Sequence, residues 1–228
     1  MNELAYMELL FIGFPYACIA IGIIGFIYRY ATRPQSLGAR SSQFLAKKTS
    51  IEIGIHFWHV GILLILSGHF LAFILTDYYK QFKLMSPLIE LFMDGFRWFA
   101  VFLTLIGLLI LIGRRISEPK LRANTTFIEW LILFLFLQQV IFGSFIAFWF
   151  RDQPFWFENN VAVWIRSIYL LQPTLPVITS ANWFVYIHAL IPFIIIALLP
   201  FSKLVHLFSF PFTYLWRPYR RIIYNIQK

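Results

Sequence analysis

Five long apolar runs, separated by charged connections, set what this chain can fold into. They lie at about residues 9–28, 51–75, 96–113, 127–149 and 182–207. Each is close to the roughly 20 residues an α-helix needs to cross a bilayer. In hydrocarbon a backbone must satisfy its own N–H and C=O groups, so runs of this length fold as helices. Composition agrees. Of 228 residues 60% are hydrophobic, the mean hydropathy is +0.74 and only 13% are charged, where a soluble domain carries about 25%. The expected fold is all-α, a polytopic membrane bundle of five transmembrane helices. It forms a single domain over residues 1–228, with little sequence left for a soluble one. The opening MNELAYMELL has no basic segment and carries Glu3 and Glu8, so the first span is expected to stay in the protein.

Charge orients the bundle. The loop after the first span, the loop after the third, and the C-terminal tail with Lys203 hold 14 of the 19 basic residues. Basic loops stay in the cytoplasm, which predicts an N-terminus outside and a C-terminus in the cytoplasm. The formal charge of +9 reflects this bias, and nucleic acid is not the expected partner. In the fourth connection, VAVWIRSIYLL (161–171) is apolar but too short to span. It reads as a half-buried helix at the outer interface, ended by Pro173 and Pro176. The lone cysteine, Cys18, excludes an internal disulfide, a Cys-rich zinc site and a Cys-ligated iron–sulfur cluster. The absence of C-x-x-C-H excludes covalent haem attachment.

All five histidines fall in two spans: His56, His59 and His69 in the second, His188 and His206 in the fifth. Ionisable groups inside a membrane span are costly and mark function. The two spans run antiparallel, so His69 meets His188 near the outer face and His59 meets His206 near the inner face. Two imidazoles facing each other from two helices are what a non-covalent b-type haem takes as axial ligands, and two such pairs make a membrane-crossing electron wire. On an ideal helix His59 is about 80° in rotation from His69, whereas His56 is about 140° away, so a shared stripe favours His59. His56 reads as an outer-shell or interface residue. His188 and His206 are 18 residues apart, about five whole turns, so one continuous helix would point both the same way. Pro192 and Pro200 are expected to kink that helix, while Gly61 and Gly68 would let a porphyrin or a helix approach closely. The Phe-rich fourth span reads as lipid and core packing.

At these residues the chain resembles the gamma subunit of respiratory nitrate reductase, a membrane di-haem cytochrome b. The resemblance is carried by FWHVGILLILSGHF (57–70), RRISEPKLRANTT (114–126) and PFSKLVHLFSFPFTYL (200–215), with SSQFL (41–45) in the first loop. It implies two b-type haems, one inner on His59 and His206 and one outer on His69 and His188. It also implies a quinol-oxidising electron-transfer subunit of a nitrate reductase complex, multi-pass in the cytoplasmic (inner) membrane of a bacterium or archaeon. Electrons from quinol would pass to a cytoplasmic iron–sulfur beta subunit and on to a molybdenum-cofactor alpha subunit. The family's basic quinol-site residue has as candidates here Lys80, Lys83 and Arg97. Two other readings stand beside this one. The first is the equivalent subunit of a sulfur-compound or heterodisulfide-reductase-like complex; the second, of another class, is a haem-free membrane scaffold or transporter. The tail RPYRRIIYNIQK (217–228) is expected to bind the iron–sulfur partner, with anionic lipid as the alternative contact.

Overall fold

The computed structural model describes residues 3–33, 48–151, 153, 155–175 and 183–207. Among these residues all regular structure is helical. In chain order the helices are α1 (Glu3–Glu8), a π-helical turn (Leu9–Gly13), α2 (Phe14–Thr32), α3 (Lys48–Ile74), α4 (Thr76–Leu84), α5 (Pro87–Ser117), α6 (Pro119–Ala123), α7 (Phe127–Trp149), α8 (Trp156–Asn159), α9 (Val161–Tyr169) and α10 (Trp183–Leu198). Two 3₁₀ turns follow, Leu199–Phe201 and Lys203–Leu207. Among the described residues five segments are long and apolar enough to cross a membrane: Leu4–Thr32, Glu52–Ile74, Pro87–Ser117, Phe127–Trp149 and Trp183–Phe201.

Local chemistry sets the boundaries. The third spanning helix begins at Pro87 rather than near residue 96, because Ser86 caps it and proline at the first turn lacks only an N–H that would be unsatisfied anyway. Its charged early turns are tolerated because Asp94 and Arg97 pair at i,i+3. Helix α7 opens with a capping box: the Thr126 hydroxyl accepts from Glu129 N–H, and the Glu129 carboxylate accepts from Thr126 N–H at 3.0 Å. The fifth span differs most from expectation. Its α-helix stops at Leu198 and the backbone turns extended at Ser202 before the second 3₁₀ turn. Pro200 cannot donate to the Ile196 carbonyl, which faces Gly22 so closely that a Cβ there would stand 2.9 Å from the oxygen. His188 and His206 therefore do not share one continuous α-helix, and the rise expected for an unbroken helix does not apply.

Helices α3 and α5 pack through small residues. A Cβ on Gly61 would collide with Thr104, and a Cβ on Gly107 with the Trp58 backbone. Close approach of this kind is how helices gain packing energy where lipid removes the hydrophobic drive. Gly61 thus serves a helix neighbour, whereas a Cβ on Gly68 would meet nothing within 4 Å among the described residues. Trp58 reaches on to α7, its ring centre 4.9 Å from that of Phe136.

The connection between α7 and α10 carries the short helix read from 161–171, and that helix is half-buried. Val161, Trp164 and Ile168 of α9 are buried in a core with Phe11, Cys18, Val185 and Phe193. The Trp164 indole N–H donates to the Phe11 carbonyl at 2.9 Å, an oxygen to which Pro15, four residues on, has no N–H to give. Helix α9 ends with Leu171 in the left-handed region (φ 57°), and Gln172 N–H closes back on the Ser167 carbonyl, a Schellman-type stop. The stop precedes Pro173, so the ending lies in the backbone of 167–172 and not in the proline itself.

Candidate functional site

His69 stands near the end of α3, and His188 near the start of α10. Their ring centres are 6.5 Å apart at an interplanar angle of 45°. Imidazoles in direct hydrogen bond bring their centres to about 5 Å. An iron held between two ring nitrogens, each about 2 Å from the metal, sets the centres on the order of 6 Å apart. The pair has the separation that an axial haem pair requires. Its tautomer fits too. His69 Nδ1–H donates to the Ile65 carbonyl at 2.9 Å, which leaves Nε2 as the free nitrogen. His188 Nδ1 is buried with no hydrogen-bond partner among the described residues. Phe73 and Phe157 pack on the His69 ring, Phe157 edge-on at 6.2 Å. From α7, Gln139 Nε2 donates to the His188 carbonyl at 3.2 Å, and Gly143 leaves its space to the His188 ring. No three His, Cys, Asp or Glu side chains converge among the described residues; the site is a two-imidazole one.

Ten residues toward the other end of α3, His59 is exposed and its Nδ1–H donates to the Ile55 carbonyl at 2.8 Å. His56 makes the same bond to Glu52, at 2.6 Å, so this contact does not separate the two. Rotation does: Trp58 points into the α5–α7 interface, and on an ideal helix His59 lies about 100° from it and His56 about 160°. The backbone of His206 lies in the second 3₁₀ turn, and its side chain is outside the described residues.

The segment carrying His206 is anchored from two sides. Arg29 of α2 donates to the carbonyls of Pro200 and Ser202, at 2.5 and 2.7 Å, a cation at a helix C-terminus where the last carbonyls lack partners. Lys203 pairs at 2.9 Å with Glu129 of α7, and Arg115 of α5 lies 3.8 Å from the same carboxylate. Glu129 is 7% exposed, and this burial of a charge is compensated by the two cations and the Thr126 N–H.

The basic residues near the His69–His188 pair are spread out. Lys80 of α4 donates to Asn159 Oδ1 at 2.7 Å, two residues from the Phe157 that packs on His69. Arg97 pairs with Asp94 and lines a cavity of about 280 Å³ with Leu91, Trp98, Phe148 and Arg151. Lys83 lies on α4 with its side chain outside the described residues.

The family model described as nitrate reductase gamma subunit matches residues 7–225. The chain belongs to the nitrate reductase gamma subunit family. Among its relatives is the nitrate reductase gamma chain of Bacillus subtilis (strain 168), 30% identical over 207 residues, which cover 90% of this chain and 92% of that one. Respiratory nitrate reductase 1 gamma chain of Escherichia coli (strain K12) is 29% identical over 212 residues, 92% of this chain and 93% of that one. The nitrate reductase-like protein NarX of Mycobacterium tuberculosis (strain CDC 1551 / Oshkosh) is 29% identical over 228 residues, but these make up only 34% of its length. The gamma-family chain is thus a multi-pass helical membrane subunit of an oxidoreductase complex.

Sequence reasoning missed three residues of this gamma-family chain. Gln139 and Gly143 lie in the span read as packing alone. The signal was the Gln138–Gln139 amide pair in the middle of an apolar helix, with a glycine one turn on. Glu129 lies near the start of the fourth span; its spacing from Thr126 gives away the capping box, but not the pairing with Lys203, which folding alone brings near.

Proposed function

We propose that this gamma-family subunit is a di-haem b cytochrome, the quinol-oxidising membrane anchor of a nitrate reductase. One observation carries the reading: His69 and His188 face each other at 6.5 Å from two spanning helices, with Nε2 of His69 left free by its bond to Ile65. These two residues would hold the outer haem and, by the complementary register of α3 and the 3₁₀ turn after α10, His59 and His206 the inner one. When bound, the haems would supply one-electron transfer across the membrane. The chain's own residues do the rest. Ile65 and Ile55 fix the tautomers of His69 and His59, Phe73 and Phe157 keep water from the outer pair, and Arg29 and Glu129 hold the turn that carries His206.

The basic-loop bias supports an N-terminus outside and a C-terminus in the cytoplasm, in a bacterial or archaeal cytoplasmic membrane. The outer pair then lies on the side away from the expected iron–sulfur beta and molybdenum alpha subunits. Lys80 is favoured over Lys83 and Arg97 as the basic quinol contact, since its partner Asn159 shares a short helix with Phe157 on the His69 ring. The test is a Lys80→Ala variant assayed with a soluble quinol analogue. The expected result is a rise in KM with both haems retained; an unchanged KM removes Lys80 from the site.

A further inference from the structure

Pro192 stands inside α10, four residues after His188. In an unbroken α-helix the N–H at that position would bond the His188 carbonyl, and proline has none to give. The oxygen takes a donor from another helix instead: Gln139 Nε2 of α7, at 3.2 Å. One turn along α7 from Gln139, on the same face, Gly143 lies against the imidazole. A Cβ at that glycine would come 2.9 Å from Cε1 and 3.5 Å from Nε2 of His188. The first distance is closer than packed carbon atoms tolerate, and the second puts a methyl beside the nitrogen that would face a metal.

The two ligands of the outer pair are thus held differently. The His69 ring is fixed by its own bond to Ile65. The His188 ring has no such bond, its Nδ1 being buried and without a partner among the described residues. What fixes it is the seat: a backbone tied across to α7 and a ring laid on a glycine. We propose that Gln139 and Gly143 are positioning residues for His188, setting its height and ring rotation, with Pro192 creating the vacant carbonyl that makes Gln139 necessary. The proposal deepens the reading above and rests on His188 being an iron ligand.

The experiment uses the intact complex, purified from membranes, with two readouts that are independent of turnover. These are haem content resolved by redox titration and the low-spin ferric resonance of each centre. Gln139→Leu is expected to weaken the outer haem about 10-fold or more, as loss of a partner that orients a ligand does, and to leave the inner centre unchanged. Adding Pro192→Ala returns an N–H to α10 and is expected to restore the outer centre without Gln139. Gly143→Ala is expected to shift the outer resonance alone. Unchanged outer signatures in both single variants, equal damage to both centres, or failure of Pro192→Ala to relieve Gln139→Leu would overturn the seat. A His188→Ala variant that keeps both haems would instead overturn the ligand reading beneath it.

Discussion

His56 and His59 make the same bond to the preceding turn and differ in where the helix turns them. His59→Ala is expected to remove one of two haems, and His56→Ala neither; the absorbance of the reduced b bands measures both. Loss of a haem in His56→Ala with retention in His59→Ala would exchange their roles. Glu129 offers a second test at this scale because it has two duties, cap and ion pair. Glu129→Gln keeps an oxygen for the Thr126 N–H and loses only the charge, whereas Glu129→Ala loses both. Alanine is expected to be the less stable by about 1 kcal/mol, the worth of an N-terminal cap. Thermal loss of the haem bands ranks the two, and glutamine ranking level with or below alanine would remove the cap's contribution from the account.

Among the elements, the α3–α5 contact is where a single methyl should matter. Gly107→Ala drives its methyl into the Trp58 backbone, and overpacking of a close contact costs about 1–3 kcal/mol. Gly113→Ala on the same helix meets nothing within 4 Å among the described residues and is expected to be neutral or slightly stabilising. Equal melting of the two variants in detergent would remove the close packing from the account. The spanning helices were legible because hydropathy over 20 residues needs no knowledge of neighbours. The meeting of His69 with His188 followed from antiparallel order alone. The break after Leu198 was only half legible: Pro200 announces a kink, but the stop at Ser202 depends on Arg29 and Gly22, far away in sequence. The seat of His188 was hidden for the same reason, since Gln139 acquires its meaning only when α7 lies beside a proline-vacated carbonyl. Helix α9 was legible as a short, half-buried apolar helix, but not the partners it packs on, which Trp164 and the Phe11 carbonyl decide together.

For the molecule as a whole, the two ends have different chemistry. Arg29, Arg115, Glu129 and Lys203 gather at the end nearer His59 and His206, and α4, α8 and α9 cover the end nearer His69 and His188. The tail 217–228 lies outside the described residues. Its deletion is expected to release the soluble subunits with haem content intact, as read by co-purification; a complex that still purifies whole removes the docking role. If quinol is oxidised at the outer pair, its protons leave on the side opposite those subunits. Each electron carried inward against the potential then costs about 2.3 kcal/mol per 100 mV for a full crossing. Quinol-driven proton release in oriented vesicles reads this directly, and release on the side of the soluble subunits would contradict it. The central claim, that facing histidines on α3 and α10 hold haem, is tested most directly by counting haem per chain in the purified complex and in its His69→Ala and His188→Ala variants. The account predicts two b-type haems in the parent and one in each variant, with the remaining centre the same in both. A parent without b-type absorbance, or variants that keep both haems, would contradict it.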